Sequence, residues 1–250
     1  MPLHEFPFVL VVGLAVGSFA NVLIWRVPRR LSVNGRSRCP ACGKTLSPFE
    51  LVPVASFLLQ RGKCRGCDAG IATRYPLVEM TGALLFFLGW WASSGLIAGL
   101  LLGLALTLLF ALAMIDLETG LIPDALTIAV AATGLLHALL LGGLSISAPL
   151  LGGGFFFVQW AVSRGRFVGS GDIGLGMAIG FVLNAWQDVA LALMLSYMLG
   201  ASIAAALLLT GRAHRKSTIP FGPFLAAGTV LAVALRDLPL VHESFALLAF

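Results

Sequence analysis

Charged residues are scarce in this chain of 250 residues, where Asp, Glu, Lys and Arg together make up 11%. Hydrophobic residues make up 59%, and the mean hydropathy is +0.99. About a quarter of the residues of an ordinary soluble domain are charged, so this composition excludes that class. The sequence therefore predicts a polytopic membrane protein whose apolar segments cross a bilayer as helices.

Some stretches carry no charge at all. Residues 80–115 would form a helix of about 54 Å, so this run is predicted to fold back as a hairpin. The first uncharged run, residues 6–25, is preceded by Glu5 and not by the basic residues of a cleaved signal peptide. It is therefore predicted to remain in the protein as a membrane span. A second hairpin is predicted to turn around Gly142, Gly143 and Pro149. Eight spans result: residues 6–25, two in 80–115, two in 125–163, and 173–187, 189–211 and 220–235.

Lysine and arginine are unevenly distributed among the loops. Ten of the sixteen lie within residues 26–74, two within 164–166 and three within 212–216. Because cytoplasmic loops carry the excess of basic residues, the N-terminus is predicted to lie outside and these fifteen residues inside, with Arg236 as the exception. The net charge of +5 then follows from topology, and nucleic-acid binding is not needed to account for it.

Cysteine occurs only four times, always within the polar segment 27–76. The four form two C-x-x-C pairs separated by 21 residues, Cys39 with Cys42 and Cys64 with Cys67. Two such pairs can present four thiolates to one tetrahedral zinc ion, which leaves no open position for a catalytic water. The segment has few large apolar side chains, so a structural metal would supply the stability that its core lacks.

Two other interpretations of the cysteines are open. A disulfide framework is disfavoured because thiols stay reduced in a cytosolic loop. A redox-active pair is disfavoured further, since one C-x-x-C would suffice and no thioredoxin-like pattern surrounds it. The prediction is a cytoplasmic zinc-binding segment in which Gly43 and Gly66 provide the turns.

Two aspartates stand where uncharged runs meet basic loops. Asp116 closes one run, and Asp172, preceded by Gly169 and Gly171, opens another. Ionisable groups at membrane depth are costly, so a pair at equivalent depth indicates a functional site. When two carboxylates share a site, one can take a proton from water while the protonated one donates to the leaving amine. The pattern predicts aspartyl-type peptide hydrolysis, with the two glycines letting an extended peptide approach.

Plainer interpretations of these carboxylates exist. Either aspartate alone fits a structural carboxylate at a helix end, and Asp172 is well placed as an N-cap. Asp124 is the main rival of Asp116 for the catalytic role. It is ranked second because it is expected to cap the next helix.

The remaining acidic residues near these motifs are glutamates. Glu118 is expected to be solvated. Glu50 and Glu79 flank the cysteine segment, where they would orient it or contact a substrate amine, or, more plainly, pair with an arginine. The many Gly and Ala residues of the apolar runs are expected to allow close helix packing.

The features described above belong to a series of short motifs that follow one another along nearly the whole chain. The motifs are Gly17-Ser18-Phe19-Ala20-Asn21-Val22 with Arg26 and Pro28, Ser37-Arg38-Cys39-Pro40-Ala41-Cys42, Glu50-Leu51-Val52-Pro53, Arg61-Gly62-Lys63-Cys64-Arg65-Gly66-Cys67, Arg74-Tyr75-Pro76-Leu77-Val78-Glu79, Asp116 with Ile122-Pro123-Asp124, Gly169-Ser170-Gly171-Asp172, and Ile219-Pro220-Phe221-Gly222-Pro223-Phe224. In this order the chain resembles the bacterial prepilin peptidases, the type IV leader peptidases of the GxGD aspartyl protease group.

The resemblance implies that Asp116 and Asp172 are the catalytic pair. It implies that the substrates are type IV prepilins and type II secretion pseudopilins, cut after a glycine at the end of a basic leader. It also implies N-methylation of the new terminus with S-adenosylmethionine, for which the residues themselves give no sign because no glycine-rich nucleotide loop is present. Family members often have lysine two residues after the second aspartate, where this chain has Gly174.

The predicted fold is an all-α polytopic membrane protein of about eight transmembrane helices in the lipids of the bacterial inner membrane. The first helix occupies residues 1–26, the cytoplasmic zinc segment 27–76 and the peptidase domain 77–250. A peptidase without methyltransferase activity is the alternative function. A transporter or assembly scaffold is disfavoured because the charges cluster at one face and no repeat between halves is visible. Oligomeric state does not follow from the sequence.

Overall fold

A computed structural model describes residues 2–212, 214 and 218–236 of the chain. The end of the predicted peptidase domain, residues 237–250, and the basic residues at 215 and 216 lie outside the described residues. The helices are α1 (Phe6–Arg26), α2 (Ala55–Leu59), α3 (Arg74–Trp91), α4 (Leu96–Thr119), α5 (Asp124–Leu140), α6 (Ser147–Ser163), α7 (Ser170–Leu183), α8 (Trp186–Leu209) and α9 (Gly222–Leu235).

The prediction of an all-α fold is confirmed, since the described residues form helices, turns and two isolated β-bridges but no strand. Every long helix falls on one of the predicted spans. Three segments are long and apolar enough to cross a bilayer by length and composition: Leu3–Arg26, Leu96–Thr119 and Trp186–Leu209. The other long helices have 14 to 18 residues, so the number of spans stays a prediction.

Helix ends follow from local backbone chemistry. Gly120 takes a left-handed conformation, with φ +66°, and ends α4, and Pro123 then precedes the first residue of α5. The prediction that Pro149 lies in the turn of the second hairpin is wrong, because it lies in the first turn of α6. Proline is tolerated there, since the N–H groups of a first turn have no partner within the helix.

Close contact between glycines sets the packing of the long helices. A side chain at Gly152 of α6 would collide with the carbonyl oxygen of Gly176 in α7. A side chain at Gly82 of α3 would lie 2.7 Å from the Cα of Gly17 in α1. Small residues let backbones approach in this way inside membranes, so the expectation of close packing is confirmed.

The helices form one bundle around α4, which packs against α1, α3, α5 and α9. On one side α1 and α3 pair, and on the other α7 lies between α5 and α6. Helix α8 packs mainly on α9 and lies at the edge of the bundle. Because successive long helices alternate in direction, the ends of α1, α4, α6 and α8 face the same side as the starts of α3, α5, α7 and α9.

The cysteine segment lies between α1 and α3 and is held against α3. Asn21 of α1 joins the two helices, because its Nδ2 donates to the carbonyl oxygen of Tyr75 in the first turn of α3 at 3.2 Å. The buried carboxylate of Glu79 in α3 accepts the N–H of Val54 at 2.7 Å. Val54 has φ +59°, an uncommon conformation for a β-branched residue, so this contact holds a strained turn of the segment against α3.

Candidate active site and metal site

Asp116 lies in the last turn of α4 and is only 5% exposed. Its Oδ2 accepts the N–H of Gly222, the first residue of α9, at 2.8 Å. The first N–H groups of a helix have no partner within it and carry positive partial charge, which makes them good donors to a carboxylate. A residue 106 positions away therefore fixes the orientation of Asp116.

Asp172 lies in the first turn of α7 and is partly exposed. The prediction that it caps this helix as its N-cap residue is wrong, because Gly169 occupies that position. Asp172 stands three residues later, and its Oδ2 reaches back to accept the N–H of Gly169 at 3.0 Å. This hydrogen bond still satisfies a free donor at the helix start, and it fixes the carboxylate beside the Gly169–Gly171 backbone.

The fold brings the two aspartates to the same end of the bundle, one at the end of α4 and one at the start of α7. At this end of the bundle Gly222 contacts Asp116, and the backbone beside Asp172 packs at Gly171 against Ile122, which follows α4. One carboxylate is buried and the other partly open to the exterior. Two carboxylates in different surroundings can hold different protonation states, which is the requirement for acid and base roles in one reaction.

The glycines around Asp172 differ in what surrounds them. A side chain at Gly169 would make only ordinary contact with the Asp172 carboxylate, at 3.5 Å, so the space beside Gly169 is otherwise open. A side chain at Gly171 would meet Ile122 at 3.1 Å. Packing against Ile122 therefore accounts for the small residue at position 171. That Gly171 also lies beside the bound substrate stays a prediction. Gly174 faces Thr127 at 3.5 Å, in ordinary contact.

Asp124 is the exposed first residue of α5, and Pro123 holds the capping position that Asp124 was expected to fill. Glu118 is not simply solvated as expected, because it forms a salt bridge with Arg74 at the start of α3. This pair ties α3 to the end of α4 that carries Asp116. Of these three acidic residues, Asp116 is therefore buried, Asp124 is exposed and Glu118 is paired with an arginine.

The four cysteines come together in the segment between α1 and α3. Their sulfur atoms all lie within 4.8 Å of one another, and the sulfurs of Cys39 and Cys67 are 3.9 Å apart. A zinc ion bonded to four sulfurs at about 2.3 Å would hold them about 3.8 Å apart. All four thiols are free, and Cys39 and Cys64 are buried. The group can hold a tetrahedral metal ion.

Both C-x-x-C pairs sit in the same kind of turn. The N–H of Cys39 donates to the carbonyl of Lys44 and that of Cys64 to the carbonyl of Ala69, each at 2.9 Å. In each turn the residue four positions after the first cysteine has positive φ. Those residues are Gly43 and Asp68, at φ +72° and +57°. The expectation that Gly66 supplies this turn freedom is therefore wrong.

Gly66 has a different function in the second turn. Its N–H donates to the sulfur of Cys64 at 3.3 Å. A side chain at this position would come within 2.9 Å of Lys44 and lie beside the sulfurs of Cys42 and Cys64. A glycine at position 66 therefore avoids a collision with Lys44 beside the sulfur atoms.

The surroundings of the sulfurs favour a thiolate at one of them. The backbone N–H groups of Cys42 and Ala41 lower the pKa of the Cys39 thiol to about 6. The Ala69 backbone lowers the pKa of Cys67, but the neighbouring sulfurs and burial together raise it to about 12. Crowded thiols cannot all ionise beside one another unless a cation shares the charge.

Glu50 holds the first cysteine turn. Its buried carboxylate accepts the N–H of Ser47 and pairs with the ammonium of Lys44, each at 2.9 Å. The Ser47 N–H first, and then Lys44, lower the pKa of Glu50 to about 2. The plain expectation of an arginine partner is wrong for Glu50, whose partner is a lysine, and for Glu79, which accepts the backbone N–H of Val54.

Sequence reasoning did not find the contribution of Gly222. Gly222 lies within the Ile219–Phe224 motif, which indicates that this region matters. The sequence does not indicate that Gly222 contacts Asp116. The ring cluster beside it was also missed. The Phe221 ring centroid lies 4.9 Å from that of Tyr197, which in turn lies 5.6 Å from that of Phe155.

Comparisons with known proteins agree with this geometry. Residues 11–93 match the family model of the bacterial peptidase A24 N-terminal domain, and residues 103–205 match that of the type IV leader peptidase family. The first match includes the four cysteines, and the second includes both aspartates. No solved structure matches the chain significantly.

Relatives match over almost the full length of both chains. A Bacillus subtilis protein named prepilin leader peptidase/N-methyltransferase is 39% identical over 91% of this chain and 93% of its own length. A protein of the same name from Aeromonas hydrophila is 34% identical, over 95% and 93%. One from Pseudomonas aeruginosa is 32% identical, over 94% and 92%.

Proposed function

The chain belongs to the type IV leader peptidase family, and from this membership we propose that it removes the leader from prepilins and methylates the new N-terminus. It is an integral membrane protein, as its apolar helices and its family indicate. Within the proposal, the substrates are type IV prepilins and type II pseudopilins, and Asp116 and Asp172 are the catalytic residues.

The observation that carries the peptidase proposal is the placement of the two aspartates. Each is held by a backbone N–H at a helix start, and both lie at one end of the bundle. The ionised carboxylate takes a proton from water as the water attacks the peptide carbonyl. The protonated carboxylate donates to the developing oxyanion or to the leaving amine.

Mass spectrometry of a prepilin incubated with the purified protein in detergent tests the proposal. With S-adenosylmethionine present, we expect loss of the leader and a gain of one methyl group on the new terminus. Without it, only the leader should be lost. A product that is shortened but never methylated would restrict the enzyme to peptidase activity, and an unchanged prepilin would contradict the whole proposal.

The methyl donor implied by the names of the relatives is S-adenosylmethionine. A groove of about 450 Å³ lies between α1 and the cysteine segment, which is a sufficient size, but the residues that line it carry no carboxylate for ribose hydroxyls or an amino group. These residues do not fit the cofactor by their chemistry. We therefore assign no residue to its binding and derive no step through it.

We propose that the four cysteines bind one structural zinc ion. Their spacing fits a tetrahedral shell of sulfurs, and four protein ligands leave no open position for chemistry. Zinc would hold the two turns of the segment together, and Glu79 attaches that segment to α3.

Replacing Cys39 and Cys64 together by serine is expected to remove the zinc and expose residues 27–76 to protease. The reason is that a segment with little apolar core depends on its metal cross-link. Metal analysis should give one zinc per wild-type chain, and limited proteolysis should cut the variant. Gly70→Ala, a change into open space in the same segment, should keep both properties. A preparation never exposed to chelator that contains no zinc would refute this assignment.

We also propose the orientation that the basic residues predicted, with the N-terminus outside and the aspartates at the cytoplasmic face of the bacterial inner membrane. The division into residues 1–26, 27–76 and 77–250 accompanies it. Supporting the orientation, the cysteine segment and both aspartates lie on one side of the alternating helices.

Cysteine labelling in oriented membranes checks the orientation. Thr119→Cys and Ser170→Cys, both at exposed positions beside the aspartates, should react with an impermeant reagent only from the cytoplasmic side, above the background of the parent chain. Ser147→Cys at the opposite end should react only from the periplasmic side. The reverse pattern would overturn the topology.

A further inference from the structure

Helix α8 leaves the bundle halfway along its length. Its first half contributes buried residues, among them Leu193 and Ser196. From Tyr197 to Leu209, all of it described, no residue is buried. This second half contacts α9, where Gly200 faces the rings of Phe221 and Phe224. Since residues 157–162 of α6 are also not buried, a cleft that no described residue fills lies between the two helices, at the end of the bundle that carries the aspartates.

An apolar groove continues this cleft along the side of the bundle. It has a volume of about 340 Å³ and is lined by Leu151 and Phe155 of α6 and by Ala190, Leu193, Met194 and Tyr197 of α8. At its inner end the hydroxyl of Tyr197 donates to Oε1 of Gln159 across the cleft, at 3.0 Å. A single exposed hydrogen bond of this kind is readily exchanged, so it can open and close the passage between the two helices.

The groove is connected to the helix start that holds Asp116. The ring of Tyr197 packs on that of Phe221, with centroids 4.9 Å apart, and Phe221 directly precedes Gly222, the residue that binds Asp116. A surface that only faced lipid would need no such connection. The inner end of the groove therefore borders the site that contains the carboxylates.

The short helices around the site favour entry from the side. Helices α7 and α9 have 14 residues each, which is about 21 Å of helix. The hydrocarbon core of a bilayer is about 30 Å thick, so the helix starts that carry Asp172 and Gly222 can lie below its surface. A peptide bond at that depth is reached most directly by a chain that already lies in the bilayer.

We propose that the groove between α6 and α8 binds the apolar segment of the prepilin and guides its scissile bond to the aspartates, with the Tyr197–Gln159 hydrogen bond as the latch of this lateral entrance. The proposal rests on the proposed peptidase function. The substrate segment fits because it is an apolar helix that must place its cytoplasmic end at the two carboxylates. The groove offers it apolar side chains along the bilayer and the open cleft at the inner end.

Site-specific photo-crosslinking tests this proposal. A photoreactive amino acid at Met194, in an Asp116→Asn background that leaves the prepilin uncut, is expected to capture the apolar segment of a membrane-inserted prepilin. The same group at Leu84 on α3, which is 65% exposed against 52% for Met194, should capture only lipid. Capture of lipid alone at Met194, or equal capture of prepilin at both positions, would overturn the proposal.

Kinetics with the active enzyme give a second test. Met194→Trp fills the groove and is expected to raise KM for the prepilin about tenfold, a factor typical of losing one good apolar contact, with kcat within about twofold. Leu84→Trp should change neither. An unchanged KM for Met194→Trp would overturn the groove assignment. Absence of cleavage by the wild-type chain would instead refute the peptidase function, so the two failures are distinguishable.

Discussion

Asp116→Asn and Asp172→Asn are each expected to abolish leader removal, with kcat lowered about 10³-fold or more. An amide has the shape of a carboxylate but cannot take up or release a proton in the required way. The hydrogen bonds from Gly222 and Gly169 can still be accepted by an amide oxygen, so both variants should insert and fold. Initial rates of prepilin cleavage, together with thermal unfolding in detergent, measure the two properties separately.

Asp124→Asn is the matched control for this pair. It changes the same group, but at the exposed first residue of α5. We expect it to retain substantial activity. An inactive Asp124→Asn together with an active Asp116→Asn would show that the catalytic pair is assigned wrongly.

The helices and the chemistry-bearing residues could be predicted because they depend on local signals. Uncharged runs bounded by glycine, proline and basic loops locate the long helices, since lipid requires every backbone group to be satisfied within its own segment. The spacing of Cys39, Cys42, Cys64 and Cys67 predicts a four-sulfur group in the same way. Such signals need no knowledge of which helix lies beside which.

Contacts between distant segments could not be predicted. Asp116 receives its hydrogen bond from a residue 106 positions away, and Glu79 receives one from a turn 25 positions away. A backbone N–H carries no sequence signature, so a carboxylate with such a partner cannot be told from one that faces water. Glu118 was expected to be solvated, although it pairs with Arg74, because the sequence does not indicate that the start of α3 lies beside the end of α4.

Positive φ at Asp68 illustrates a second limit. The first cysteine turn has glycine four residues after its first cysteine, and the second has aspartate. Aspartate tolerates the left-handed region better than most residues do, so the same turn forms from either. Because the turn residue was expected to be glycine, the prediction selected Gly66. The small size of Gly66 leaves room beside the sulfur atoms and is not required by the turn.

Gly222→Ala is expected to lower the rate of cleavage about 100-fold, the loss typical of a catalytic group displaced by about 1 Å. The backbone at this residue does not have positive φ, so alanine is not excluded by conformation. Its methyl group would, however, lie 2.7 Å from Oδ2 of Asp116 and 3.2 Å from its Cγ. The carboxylate must then rotate away from the Gly222 N–H, and it loses the orientation that this hydrogen bond gives it.

Gly143→Ala is the control for this change, because a methyl group there meets nothing within 4 Å and the site is at the opposite end of the bundle. It should leave cleavage and thermal stability unchanged. Gly222→Ala should keep a melting temperature close to that of the wild-type chain while losing activity, since the collision involves one side chain at a helix start. If Gly222→Ala cleaves prepilin at the wild-type rate, the Gly222 N–H does not orient a catalytic carboxylate, and the role assigned to the start of α9 is wrong.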